Sequence, residues 1–128
     1  MRPISDVDGL TAADVMHRRL TSTPATATVG ELREYFGFST SRRLALVVDG
    51  ERFLGALTPE DLAADADAGA AVAAYVRAVP SAAPADAAAD ARDTALATPS
   101  RRLPVVDATG ALVGVVAINK DCDGFCGT

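Results

Sequence analysis

The fold of this chain is decided by a stretch that occurs twice, first as Arg42-Arg43-Leu44-Ala45-Leu46-Val47-Val48-Asp49 and then as Arg101-Arg102-Leu103-Pro104-Val105-Val106-Asp107. Each copy is a short apolar run between two arginines and an aspartate, a pattern typical of a buried strand. A matching pair of runs follows, Phe53-Leu54-Gly55-Ala56-Leu57 and Leu112-Val113-Gly114-Val115-Val116. Equivalent residues lie 58 or 59 positions apart, so the sequence predicts a structural repeat with small loop insertions.

Landmarks nearer the N-terminus extend this repeat. Pro24 and Pro84 lie 60 residues apart, and Val15-Met16 aligns with Tyr75-Val76 at the same spacing. Each half predicts a short helix, an extended piece, a second helix and two strands. We therefore expect an α/β (α+β) fold in one module over 1–128, with repeat one over about 10–68 and repeat two over about 70–128.

Capping residues predict where the helices begin. A closing helix of repeat one is expected to begin at Thr58 and run to about Ala68, because proline and two carboxylates follow the threonine. Repeat two has no room for an equivalent closing helix. The other expected caps are Thr11 with Asp14, Thr28 with Glu31, and Asp86 ahead of an alanine-rich helix.

Composition excludes several classes of partner. The 128 residues include 12 basic and 17 acidic side chains, for a net charge of −5, and 49% are hydrophobic. An acidic globular chain without a basic stripe is a poor ligand for a nucleic-acid polymer. No run approaches the roughly 18 apolar residues of a membrane span, and the N-terminus lacks an apolar signal segment. We therefore expect a cytoplasmic protein that binds neither nucleic acid nor membrane.

Four motifs of the sequence, given below in chain order, resemble those of the CBS domain pair, which is also called a Bateman module. The resemblance extends from about residue 10 to about residue 120. The resemblance implies two β-α-β-β-α repeats packed about a pseudo-twofold axis, a homodimer, and an effector protein that reads the state of the module. It also implies a non-enzymatic sensor that binds AMP, ADP, ATP or S-adenosylmethionine in a cleft between the repeats. The matching motifs are Ala13-Asp14-Val15-Met16, Thr28-Val29-Gly30-Glu31-Leu32, Gly55-Ala56-Leu57-Thr58-Pro59-Glu60-Asp61-Leu62 and Leu103-Pro104-Val105-Val106-Asp107.

The resemblance assigns the ligand site to Thr58 and Asp61. In the family the aspartate binds ribose and the threonine lies near the phosphates, and a helix N-terminus suits a phosphate group. The same two residues also form a good helix start, and the two roles can coexist. Arginine binds phosphate bidentately, although an arginine before a strand is also often a solvated loop residue. The further expected contacts are Arg102 and Arg43 for phosphate, and Leu20, Thr21 and Ser22 for adenine.

Repeat two departs from the ligand motif. Ala117 and Lys120 stand at the positions that correspond to Thr58 and Asp61, and Asp121 comes one residue late. We therefore expect at most one good ligand site per chain. The alternative is a ligand-free CBS pair that acts as a protein-interaction or dimerisation module, in which the threonine and aspartate serve only as a helix cap.

The remaining reactive side chains predict no catalysis. His17 is the only histidine and is expected at a helix C-terminus, where it favours the helix dipole, with pH sensing or phosphate contact as the alternatives. Cys122 and Cys126 have a C-x3-C spacing rather than the usual C-x2-C of zinc sites. We expect an ordinary tail with reduced thiols there, with zinc or redox pairing as the alternatives. Because no nucleophile elbow, P-loop or Cys/His dyad is present, we expect no enzyme and no firmly bound metal or cofactor.

Overall fold

The structure is a computed structural model, and it describes residues 2–19, 21–38, 44–62 and 65–126. The predicted contacts Leu20 and Arg43 lie outside the described residues. The mixture of helices and strands confirms the predicted α/β class. In chain order the elements are β1 (Arg2–Pro3), α1 (Ala12–Val15), β2 (Ser22–Pro24), α2 (Val29–Phe38), β3 (Ala45–Asp49), β4 (Arg52–Leu57), α3 (Ala88–Ala97), β5 (Arg102–Val106), β6 (Leu112–Ala117) and β7 (Gly124–Phe125), with 3₁₀ turns at Pro59–Asp61 and Val72–Tyr75.

The chain forms two compact units. Unit 1 contains Met1–Leu20 and Pro80–Thr128, and unit 2 contains Thr21–Val79. The units therefore divide the chain differently from the repeats of the sequence pattern, because the N-terminal segment belongs to the unit that holds the second half of the chain.

Unit 2 is built on a three-stranded sheet in the order β2-β3-β4. Strand β2 runs parallel to β3, and β3 runs antiparallel to β4. Helix α2 packs on this sheet through Leu32, with Tyr35 and Phe36 at the edge of the core. The buried core residues are Ala27, Leu32, Ala45, Val47, Leu57 and Val72.

Unit 1 repeats this arrangement with smaller side chains. Strands β5 and β6 are antiparallel, and Ala82 bridges to Val105 in the parallel sense, as β2 pairs with β3 in unit 2. Helix α3 buries its alanines at positions 88, 91 and 95, so the alanine excess of the sequence lets this helix approach the sheet closely. Strands β1 and β7 form a separate antiparallel pair that the sequence did not predict.

In each unit, a segment just after the first short helix of one repeat pairs with the last strand of the sheet. Arg77 forms an antiparallel bridge with Ala56 on β4, and His17 forms the same bridge with Val115 on β6. The close approach requires glycine at the neighbouring strand position in unit 2. A Cβ added at Gly55 would overlap the carbonyl oxygen of Arg77, and its φ of 148° also favours glycine. The sheet edge of each unit is therefore covered by a distant part of the chain.

Two helix predictions were wrong. Asp86 does not cap α3, because its carboxylate accepts a hydrogen bond of 2.9 Å from the amide of Ala83 and so closes the preceding turn instead. The cap position of α3 is Ala87. The closing helix of repeat one is only a 3₁₀ turn over Pro59–Asp61. Of the remaining residues in the predicted helix, the described residues 65–68 form turns and a bend instead.

Candidate functional site

Four of the predicted site residues lie at one end of the unit 2 sheet. Ser22 opposes Leu46 on β3, and Leu46 in turn opposes Ala56 on β4. Thr21 precedes β2 and Thr58 follows β4, so both residues lie where β2 and β3 begin and β4 ends. Adjacent strands are about 4.8 Å apart, so β2 and β4 lie about 10 Å apart across β3. The sheet therefore brings Thr21, Ser22 and the Thr58–Asp61 turn to the same end.

The backbone and side chain of Thr58 hold the Asp61 carboxylate. Oδ2 of Asp61 accepts a hydrogen bond from the Thr58 amide at 2.8 Å and from the Thr58 hydroxyl at 3.1 Å. The Asp61 amide donates to the Thr58 carbonyl at 3.0 Å. The helix-start interpretation of these two residues is therefore correct, although the helix is a single 3₁₀ turn.

Arg77 was not among the predicted site residues, yet it reaches the same carboxylate from a distant part of the chain. Its Nη1 donates to Oδ1 of Asp61 at 2.7 Å. Paired amide–carbonyl hydrogen bonds of 3.1 Å with Ala56 fix the Arg77 backbone beside β4. The repeat contained a signal for this residue, because Arg77 directly follows the Tyr75-Val76 pair that aligns with Val15-Met16.

The Asp61 carboxylate is ionised at neutral pH. Burial raises the pKa of Asp61, but hydrogen bonds from the Thr58 amide, the Arg77 guanidinium and the Thr58 hydroxyl lower it by more, so the pKa lies below its ordinary value of 3.8. The Asp61 side chain is only 9% exposed, whereas the Arg77 side chain is 70% exposed. The site thus contains a nearly buried anion paired with an exposed cation.

The hydrogen-bond capacity of Asp61 shows what the site can do. A carboxylate offers about four acceptor positions, and Thr58 and Arg77 occupy three of them. A vicinal diol such as ribose donates two hydrogen bonds, so it needs one more position than is open. The exposed guanidinium of Arg77 is the partner that can move without breaking the turn.

The other predicted contacts are distributed over both units. Thr21 and Ser22 are exposed. Arg102 belongs to unit 1, opens β5 and donates from Nη1 to the carbonyl of Ser100 at 2.9 Å.

Unit 1 has a different set of residues at the corresponding end of its sheet. Ala117 is buried, and Lys120 and Asp121 are exposed in a turn that leads back to β7. His17 takes the place that Arg77 has in unit 2, as the bridge to the last strand. Unit 1 therefore has no ionised acceptor at the position of Asp61, where Lys120 supplies a cation instead. The methyl group of Ala117 replaces the Thr58 hydroxyl, and the His17 imidazole replaces the Arg77 guanidinium.

The tail cysteines are free thiols, exposed at Cys122 and partly buried at Cys126. In the four described ranges, no three His, Cys, Asp or Glu side chains are grouped as metal ligands. Among the same residues no helix combines the length and apolar character that a membrane crossing needs.

Comparisons with known proteins agree with the sequence motifs and the fold. The sequence profile of the CBS domain matches residues 12–66, and no curated protein sequence matches the chain. The CBS-pair protein CBSX2 from Arabidopsis thaliana superposes with a TM-score of 0.71 at 25% identity, over 84% of this chain and 87% of that chain. The structure of CBSX2 in complex with AMP has a TM-score of 0.71 at 26% identity, over 85% and 90%. The cytosolic domain of the Mg²⁺ channel MgtE in complex with ATP shares the fold, with a TM-score of 0.63 at 23% identity over 89% and 48%.

Proposed function

We propose that this chain is a tandem CBS pair that senses an adenine nucleotide (AMP, ADP or ATP) or S-adenosylmethionine through Thr58 and Asp61. CBS pairs are generally regulatory modules rather than catalysts, and the proposal is non-enzymatic. The AMP complex of CBSX2 supports a nucleotide as the ligand class, because CBSX2 is 26% identical to this chain and its structure superposes on 85% of this chain.

The observation that carries this proposal is the state of the Asp61 carboxylate. It is nearly buried, its pKa is lowered, and one oxygen bonds to Thr58 while the other bonds to Arg77. An ionised, oriented acceptor is what recognition of ribose hydroxyls requires, since hydrogen bonds to charged groups are worth about 1.5–3 kcal/mol. Thr21 and Ser22 lie at the same sheet end and offer main-chain and hydroxyl groups to the base.

Arg77 gives this site an exchange mechanism. Without ligand, its guanidinium neutralises Asp61. When ribose donates to Oδ1, the exposed arginine side chain swings away and its fork turns to a ligand phosphate, which it binds bidentately. The ion pair that is lost is thus replaced by a second charge-assisted contact. On the family resemblance we keep Arg102, Arg43 and Leu20 as further candidate contacts.

Regulation follows from differential affinity. A ligand shifts a conformational equilibrium only by as much as it prefers one state over the other. We propose that the module works as a homodimer in the cytoplasm and that an effector protein reads the shift. Size-exclusion chromatography with light scattering tests the dimer directly.

The experiment that tests ligand binding is a thermal unfolding scan with AMP, ADP, ATP and S-adenosylmethionine. A ligand at about 100 times its Kd adds about 2.7 kcal/mol to the free energy of unfolding. We expect a stabilising shift with at least one of the four and its loss in Asp61→Ala. Glu31→Ala is the matched control, because the Glu31 carboxylate accepts a hydrogen bond of 3.2 Å from the hydroxyl of its capping Thr28 and lies neither in this site nor in the arginine-lined cleft on unit 1. No shift with any of the four ligands would contradict the proposal.

One observation favours a second candidate, the ligand-free interaction module. Asp61 already has three hydrogen bonds, so the Thr58–Asp61–Arg77 cluster is complete as a structural device. In that case Asp61→Ala lowers stability without changing the response to any nucleotide, and dimerisation persists in all four ligand solutions.

A further inference from the structure

A polar cleft lies on unit 1. Its volume is about 720 Å³, and its walls come from Arg2 and the segment around α1. This volume falls within the range of about 300–1,000 Å³ that small-molecule sites occupy. The lining residues are Arg2, Ala13, Asp14, Met16, His17, Arg18 and Arg19. They include neither Thr58 nor Asp61, so the cleft is separate from the site of the proposed function.

The cleft is basic although the chain is acidic. Three arginines and one aspartate line it. Because Arg2 also pairs with Asp6 at 3.0 Å, the positive charge of the cleft comes chiefly from Arg18 and Arg19. The whole chain has a net charge of −5. Such a local reversal of sign concentrates anions at one place on the surface.

Asp14 is the one acid in the lining of the cleft, and it is bound to Thr11. Its Oδ2 accepts hydrogen bonds from the amide and hydroxyl of Thr11, at 2.8 and 3.1 Å. Those two hydrogen bonds lower the pKa of Asp14, and the nearby charges of Arg2 and Arg18 lower it further. The carboxylate is thus committed to the start of α1.

The two arginines after α1 retain most of their donors. Arg18 is exposed and gives one hydrogen bond of 3.2 Å, from Nη2 to the carbonyl of Ala13. Arg19 is exposed and makes no hydrogen bond or ion pair with the described part of the chain. A guanidinium has five N–H donors in a planar fork, which matches phosphate oxygens. The guanidinium groups of Arg18 and Arg19 can therefore still donate hydrogen bonds to an anion in the cleft.

We propose that this cleft binds a small anion that carries several linked phosphate groups. The neighbouring Arg18 and Arg19 suit a di- or triphosphate better than a single phosphate, because each guanidinium can bind a different phosphate group bidentately. The same chemistry is found in a free polyphosphate and in the phosphate chain of a nucleotide. His17 lines the same cleft and supplies one more nitrogen to the anion.

Isothermal titration calorimetry of the full chain with inorganic triphosphate, without divalent cations, tests this proposal. We expect saturable binding that weakens by about tenfold or more in Arg18→Gln/Arg19→Gln, since charge-assisted hydrogen bonds are lost. Asp14→Asn keeps an acceptor for Thr11 but removes the only acid of the cleft, so binding tightens by up to about fivefold. Arg52→Gln removes one charge from an exposed residue outside the cleft, as a control for Arg19→Gln, and leaves binding within about twofold of wild type.

The variants also separate this cleft from the site at Thr58 and Asp61. In Asp61→Ala, triphosphate binding persists, and ATP retains a site that AMP does not compete for. Equal binding of ATP and triphosphate assigns recognition to the phosphate chain, whereas tighter ATP binding adds a base contact. The proposal is overturned if triphosphate does not bind wild type, or if Arg52→Gln weakens binding as much as Arg19→Gln. It is also overturned if Arg19→Gln, which breaks no described contact, and Arg18→Gln both bind like wild type.

Discussion

Asp14 and Asp61 occupy the same position in two capping boxes, and their hydrogen bonds to the preceding threonine have the same lengths, 2.8 Å to the amide and 3.1 Å to the hydroxyl. Within the described ranges, only Asp61 also has an arginine on its second oxygen. The chain therefore contains its own control for the ligand site, one carboxylate that only caps and one that caps and pairs with Arg77.

The Asp61–Arg77 pair should show a measurable but modest coupling energy. Because the arginine is 70% exposed, we expect about 0.2–1 kcal/mol from a double-mutant cycle of Arg77→Ala and Asp61→Asn. Urea unfolding of the four proteins measures it. The cycle of Arg77→Ala with Asp14→Asn should give no coupling, and an equal value there would show that the pair is not specific.

Acid unfolding should report the lowered pKa of Asp61. A carboxylate with a folded-state pKa below its unfolded value stabilises the fold above the unfolded pKa, and this contribution disappears as the pH falls through the folded pKa. The stability advantage of wild type over Asp61→Asn should therefore be constant near neutral pH and shrink as the pH falls below about 3.8, the ordinary value. Urea unfolding from pH 7 to pH 2 measures both proteins. Two curves that stay parallel throughout this range would contradict the assignment.

The two threonine caps should contribute equally to stability but differently to ligand response. Thr11→Ala and Thr58→Ala should each lower the free energy of unfolding by about 1 kcal/mol, because each loses the hydroxyl contact to its aspartate. Only Thr58→Ala should also weaken nucleotide binding. Calorimetric titration of both variants with AMP and ATP distinguishes them. Equal ligand affinities in the two variants would show that Thr58 does not contact the ligand, and the absence of binding in both and in wild type would favour the ligand-free alternative.

Gly55 should tolerate substitution less well than Gly114. In Gly55→Ala the added Cβ overlaps the backbone carbonyl of Arg77, and the φ of this position is strained for alanine. We expect the free energy of unfolding to fall by about 3 kcal/mol. Alanine at Gly114 meets chiefly the Met16 side chain, which can move, so we expect about 1 kcal/mol. Gly37→Ala, with no atom within 4 Å of the added Cβ, should be neutral or stabilising by up to about 1 kcal/mol. Urea unfolding of the three variants gives the order, and a reversed order of Gly55 and Gly114 would contradict the edge pairing.

Much of the fold was predictable because its signals are local. The Thr11–Asp14, Thr28–Glu31 and Thr58–Asp61 pairs are three residues apart, so the same few bonds form wherever the segment lies. The strand pairs also followed from apolar runs, and the run from Phe53 to Leu57 lies within β4. The wrong prediction at Asp86 has a local cause as well, because its carboxylate reaches either the helix start or the turn at Ala83, and spacing does not distinguish them.

The candidate site was only partly predictable. Thr58 and Asp61 carry a recognisable motif, but Arg77 lies 16 residues beyond Asp61 and in no motif. Its place depends on a bridge to Ala56 and on the absence of a side chain at Gly55.

The sequence alone determined the repeat, the strands, the capping boxes and the residue types that can meet a ribose or a phosphate, because each of these depends on neighbours within a few positions. Only the tertiary structure decided which distant segment covers each sheet edge: residues around His17 lie against β6, and residues around Arg77 lie against β4. Such pairing is selected by the burial of a whole apolar face and the satisfaction of edge hydrogen bonds, quantities that belong to the folded unit rather than to any short stretch. That choice places an arginine on the Asp61 carboxylate.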